Sequence, residues 1–397
     1  MIQHLTLPVI LALALFAGSG CSRETKKTRL LERANRDFTA GNYARAEIEY
    51  LKVLQAASLN PEAIRQLGFI YYNQGRLPQA YAHLKKAAGL DPENVEIRVK
   101  LGSLCLSGRE LKEAQDHALW VLERNCGHED ALLLLADCAA TPQARLETLQ
   151  RLELLRQKDK DRAGYHVAAG SLYLRQQEFE KAESELKQAL ALDPNSSAAH
   201  LVLGTLYWAR NELAPAGQAL KAASDLAPPR SGAKLKYADF KLSTGAAEEA
   251  RQIAEALVKT APDYLPAQIF LLRAALAQKK YDDCDALAGK ILAGDPANYD
   301  ALLARGKLNL AKGETAKALA VFDRLGTLYA RLPQIHYHLA LAHLQNNDRP
   351  KAAASLTQAI ALEPNFVEAI LLLAELNLRK GDASPVVAAM SQLIKQH

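Results

Sequence analysis

Several ingredients are in short supply in this 397-residue sequence. Aromatic residues make up 6%, and they are not interleaved with a basic stripe, which argues against a nucleic-acid footprint. An excess of one charge is also lacking: 49 Lys and Arg against 44 Asp and Glu leave a net charge of +5, spread over a solvated surface. The five cysteines, Cys21, Cys105, Cys126, Cys138 and Cys284, form no CxxC pair and no metal-ligand spacing. No Gly-rich phosphate loop, nucleophile elbow or isolated carboxylate pair is recognisable, so no catalytic, cofactor-binding or metal residue is expected and the chain reads as non-enzymatic. Strand signals are few. What is abundant is Ala and Leu within a 49% hydrophobic composition, which suits helices in close contact.

The one long apolar run, Leu5 to Ala17, is too short for a convincing membrane span. With Gly18-Ser19-Gly20 after it, residues 1–20 read as a secretory signal peptide. Cys21, directly after those small residues, resembles the lipid-attachment cysteine of bacterial lipoproteins. That resemblance implies a lipid on Cys21 and a periplasm-facing anchor in the cell envelope, with the outer membrane favoured because Ser22, not Asp, follows. An ordinary cleaved signal, leaving a secreted or periplasmic protein, is the alternative. Residues 21–26 would form the tether, in which Ser22 to Lys26 reach at most ~18 Å. Arg23, Lys26, Lys27 and Arg29 could then face anionic head groups or simply be solvated.

From Lys27 onward the text repeats. Units begin at Lys27, Pro61, Val95, Glu129, Ala163, Ser197, Ser231, Leu265, Tyr299, Pro333 and Val367, thirty-four residues apart with no insertion. Position 8 is Gly or Ala in ten of eleven units, including Gly68, Gly102, Gly170, Gly204 and Gly306. Gly within a helix costs up to about 1 kcal/mol relative to Ala, so its recurrence implies a contact that a larger side chain would block. Position 20 is mostly Ala, position 32 is Pro in six units, and Asn60, Asn94, Ser196 and Asn298 are expected to cap the following helices. The turn inside a unit is expected at Gly41, Gly75, Gly108, Gly245, Gly313, Asn347 or Gly381. Unit four is the weakest, with Thr148 for Ala and Lys160 for Pro; residues 158–162 are either an exposed turn of a degenerate repeat or a hinge. Ser384-Pro385 starts a last helix whose Val386, Val387, Met390, Leu393 and Ile394 should leave apolar surface uncovered.

This pattern resembles the tetratricopeptide repeat (TPR) family. The resemblance implies an all-α, right-handed α-solenoid of about eleven helix pairs over 27–397, each unit touching only its neighbours. It also implies a concave wall lined by positions 2, 5, 9, 12 and 13 of each first helix, where protein or peptide partners bind. Carried onto this chain, the groove residues are Arg65, Phe69, Tyr72, Asn73 and Trp208, with position 9 passing from Asp137 and Asp239 to Arg273 and Lys307. The family's carboxylate clamp is not matched: Asn35 fits, whereas Leu31, Gln66 and Glu96 do not.

His166, His200 and His336 share position 4 and are expected to pack between helices, while His336, His338 and His343 cannot converge on one ion. Cys105, Cys138 and Cys284 sit at apolar positions; in an oxidising envelope a Cys126–Cys138 or Cys105–Cys138 bridge is open. The expected function is an envelope-anchored scaffold without cofactor, its layout similar to lipoproteins of exopolysaccharide export and PEP-CTERM (exosortase) systems. The alternatives are a lipoprotein of pilus secretin or outer-membrane assembly, or a regulatory subunit of a separate glycosyltransferase or peptidoglycan hydrolase.

Overall fold

A computed structural model describes residues 25–378, all of whose regular structure is helical. The signal segment 1–20, Cys21, Gly381 and the helix expected after Ser384 lie outside the described residues. The chain divides into two compact units at Pro266/Ala267.

The first unit begins with α1 (25–39), α2 (Tyr43–Ala56), α3 (Pro61–Gln74), α4 (Leu77–Leu90) and α5 (Val95–Ser107). It continues through α6 (Leu111–Arg124), α7 (Glu129–Cys138), α8 (Pro142–Lys158), α9 (Ala163–Arg175) and α10 (Phe179–Leu192). It ends with α11 (Ser197–Ala209), α12 (Leu213–Leu226), α13 (Gly232–Ser243) and α14 (Ala247–Thr260). α15 (Leu265–Ala277) crosses the boundary after its first two residues and leads into the second unit, followed by α16 (Tyr281–Gly294), α17 (Tyr299–Ala311) and α18 (Thr315–Leu328). α19 (Pro333–Gln345), α20 (Arg349–Leu362) and α21 (Val367–Leu378) complete it.

Each hairpin is specified by the same few positions. At the start of the first helix, the side chains of Asn60, Asn94, Ser196 and Asn298 accept the backbone N–H three residues on, as capping requires. Inside the hairpin, a left-handed residue recurs every thirty-four residues from Gly41 to Asn347, with a single gap in unit four. In unit three that residue is Arg109 (φ 63°), not Gly108 (φ −79°). The chain reverses one residue later than the glycine suggested.

The position-8 glycines are explained by what faces them. A Cβ at Gly68, Gly170, Gly204 or Gly306 would stand 2.4–2.8 Å from Leu84, Leu186, Leu220 or Phe322, the residue sixteen later on the partner helix. Those four side chains are fully buried, each worth about 1.5–3 kcal/mol of hydrophobic stabilisation. Ala at position 20 is fully buried in every unit that has it.

Unit four departs from the rule. α7 stops after ten residues, and Thr141, accepting from the Ala144 N–H, starts the seventeen-residue α8 early. Leu146 and Leu154 of α8 are exposed. Residues 158–162 lie within the first unit and are knit by Asp159–Arg162 and Asp161–Arg156 ion pairs and by the Tyr165 hydroxyl, which donates to Asp159.

The expectation that each unit touches only its neighbours fails inside the first unit. Gln74, at the end of α3, donates to Asp263 at 3.0 Å across 189 residues. Arg230 donates to the other oxygen of Asp263 at 2.7 Å and lies 4.4 Å over the Tyr43 ring. Gly75 is required twice over: its φ is +78°, and a Cβ there would come 2.6 Å from Pro266 Cδ. The turn of repeat two is thereby latched to the loops that close repeats six and seven.

Candidate functional site

On α3, positions 5, 9, 12 and 13 fall on one face because they are spaced by about one and two helical turns. Arg65 is half-buried with a long 4.0 Å ion pair to Asp91. Phe69 is 4% exposed, and Lys100 of α5 lies 5.4 Å from its ring and 4.7 Å from that of Tyr72. Burial pushes the Tyr72 hydroxyl pKa up. Asn73 donates to the Tyr43 hydroxyl at 3.0 Å, next to the latch. Asn35, the clamp-like residue, accepts from Tyr50 at 2.5 Å and donates to Glu62 at 2.8 Å. In repeats one and two the wall is therefore largely engaged with the protein itself.

Farther along the same unit, Trp208 meets Phe240 edge to face at 5.4 Å, with Lys236 5.0 Å from its ring. Asp137 is bound by Arg175, and burial raises its pKa against that cation's pull. Asp239 is half-buried. The position-4 histidines do more than pack. His166 is held between Asp161 and Glu185 at 3.0 and 2.7 Å, while His200 and His336 reach the carbonyls of Pro194 and Ala330, six residues back. Cys105, Cys126, Cys138 and Cys284 are free thiols, so neither disulfide considered from the sequence is formed.

The second unit presents a different wall. Arg273 on α15 and Lys307 on α17 occupy the same repeat position one unit apart, and the Arg273 charge bears on Lys307. Other cations nearby are paired, Arg305 with Asp285 and Lys312 with Asp282. Arg273 and Lys307 make no hydrogen bond or ion pair within 4.0 Å among the described residues. Burial, then the Arg273 charge, pulls the Lys307 ammonium below its ordinary pKa. Burial raises the Asp300 carboxyl, partly offset by Arg273. His338 stacks on Phe322 at 5.6 Å, and burial, with Lys307 adding, pushes its pKa down to about 4. His336 and His343 have other surroundings. This is a pair of cations, Arg273 exposed and Lys307 partly desolvated, with a neutral imidazole beside Lys307.

Neither the latch nor Asp300 was identified from the sequence. Gln74, Arg230 and Asp263 occupy loop or helix-end positions that no local rule brings together.

Comparison with known proteins agrees with the repeat reading. The family model described as "Tetratricopeptide repeat" matches residues 31–95, 65–119, 167–231, 271–331 and 337–384, together well over half of the chain. A stretch of 163 residues, 40% of this chain, is 26% identical to human Protein O-mannosyl-transferase TMTC1, of whose length it covers only 18%. The crystal structure of yeast Tom70 superposes with a TM-score of 0.54 at 15% identity, covering 94% of this chain and 92% of that one. The Cut9–Hcn1 hetero-tetramer of the APC/C gives 0.44 at 12% identity, with 93% of each chain covered. No helix among the described residues is long and apolar enough to cross a membrane. With its thirty-four-residue register, its shared cap and turn positions and this family match, the chain belongs to the tetratricopeptide repeat family.

Proposed function

We propose that this chain is an interaction scaffold that grips an acidic segment of a partner protein across Arg273 and Lys307, and that it is held at the cell envelope by lipid on Cys21. The observation that carries the first part is the cation pair. Two positive charges, one partly desolvated, repel each other and lack a counter-charge within ion-pair distance, so a bound carboxylate would relieve both effects. The anchor rests on the sequence around Cys21 and is tested separately.

Fluorescence anisotropy with an acidic peptide and a lysine-substituted control tests the grip. Binding should favour the acidic peptide, weaken with salt, and fall by about tenfold on Lys307→Met, the loss of one charge-assisted hydrogen bond. Equal binding of both peptides, or an unaltered affinity in the variant, removes the assignment. Fatty-acid labelling of the wild type and of Cys21→Ser decides the anchor: equal label in both eliminates it.

In this reading the partner belongs to an export or assembly complex of the exopolysaccharide or PEP-CTERM type. Crosslinking in membranes should then recover polysaccharide synthesis or export proteins. The stretch similar to part of a protein named as an O-mannosyl-transferase favours a second reading, an accessory role beside a separate glycosyltransferase. Recovery of such an enzyme without export proteins would select it.

A further inference from the structure

We infer that Cys105, Glu113 and His117 form a zinc site that ties together the two helices of the third repeat. Glu113 and His117 are four residues apart and share one face of α6, and Cys105 reaches them from the antiparallel α5. The sulfur, nitrogen and carboxylate oxygen all lie within 4.8 Å of one another. Ligand atoms around one tetrahedral zinc stand about 3.4–3.6 Å apart, given metal–ligand bonds of about 2.0–2.3 Å. Closing the set therefore takes about 1 Å, and Glu113, exposed and flexible, can supply that movement. Cys105 and His117 are already buried at 3% and 9% exposure. Gly102 allows this approach, since a Cβ there would come 3.1 Å from that of His117.

The donor set selects the metal. One soft thiolate, one imidazole and one carboxylate suit zinc better than magnesium or calcium, which favour all-oxygen sites. Thiolate and carboxylate together neutralise a divalent ion, so the loaded site carries no net charge in a partly buried place. Water would complete the four-coordinate set.

The proton balance is defined. Burial, with Glu113 adding, pushes the Cys105 thiol up to about 11, so the free protein holds the S–H proton at neutral pH. Burial, then Arg98, pulls His117 below its ordinary value, leaving a nitrogen lone pair available. The other charged or titratable groups bearing on the site are Lys85 on α4, Glu110 and Asp116 beside the ligands, and Cys138 on α7. Zinc replaces the thiol proton, which leaves to solvent. One proton is released per ion, and affinity rises by about tenfold per pH unit below the thiol pKa.

The test uses the full chain, reduced and stripped of metal with a chelator, titrated with cobalt(II) and then zinc. One equivalent of cobalt should bind with release of one proton and a thiolate-to-metal charge-transfer band in the near ultraviolet, and zinc should displace it with loss of the band and no further proton release. Cys105→Ser should abolish the band although the other cysteines remain. Glu113→Gln, at an exposed position where folding is not at stake, should weaken zinc binding by at least the 10–100-fold seen for losses outside the ligand shell. No charge-transfer band in the wild type, a band that survives Cys105→Ser, or an unchanged zinc affinity in Glu113→Gln would each overturn the assignment.

Discussion

Removing one carboxylate should loosen a helix 189 residues away. In Asp263→Ala the latch loses the bond from Gln74 at 3.0 Å and the charged bond from Arg230 at 2.7 Å. Hydrogen bonds to charged groups contribute about 1.5–3 kcal/mol each. The Arg230 and Asp263 side chains are 15% and 20% exposed, so solvent screening trims that sum. Gln74 is 3% exposed and would be left with an unmatched amide donor. A net loss of about 2 kcal/mol is the expected result. Arrays of repeats do not unfold in one step, so a global midpoint is a poor readout. Amide hydrogen exchange in the last turn of α3 is a better one, and 2 kcal/mol corresponds to about thirty-fold faster exchange there. Wild-type exchange in α3, with changes confined to the surroundings of Asp263, would refute the coupling.

Glycine substitutions should act with opposite signs according to what faces them. Gly306→Ala puts a methyl 2.4 Å from the fully buried Phe322 ring and should cost about 1–3 kcal/mol, whereas Gly89→Ala meets nothing within 4 Å inside α4 and should gain about 0.5–1 kcal/mol. Amide hydrogen exchange in the hairpin that carries each substitution checks both signs. Acid should weaken the second unit through His338, whose pKa is about 4 when folded against 6.5 in the free side chain. The unfolded state binds the proton more readily, so this contribution is complete above pH 6.5 and is lost as pH falls toward 4. His338→Phe should flatten that part of the stability profile, as followed by hydrogen-exchange protection factors in α19 at several pH values.

Features governed by local rules were legible in the sequence. A cap needs only Asn, Asp, Ser or Thr before a helix, and Asn60, Asn94, Ser196 and Asn298 all cap as their positions required. The small residue at position 8 marks a close contact in the sequence, although only the structure names the Leu or Phe that fills the space. The turn of unit three lies one residue beyond the position that Gly108 marks in the sequence, because Arg109 takes the left-handed conformation despite its side chain. The latch was beyond reach. It depends on how far the array winds between repeats two and seven, a sum of small rotations that no spacing in the text encodes. Cys105, Glu113 and His117 stayed hidden for a related reason: ligands divided across a hairpin have no motif spacing.

The latch also acts as a ruler. In an open array, excising one thirty-four-residue unit would let the flanking repeats close up with equivalent interfaces. Here, deleting any unit between the second and the seventh would shift Asp263 by one whole step relative to Gln74, and the two could no longer meet. The number of repeats in that interval is therefore fixed by closure, even though each repeat by itself is interchangeable.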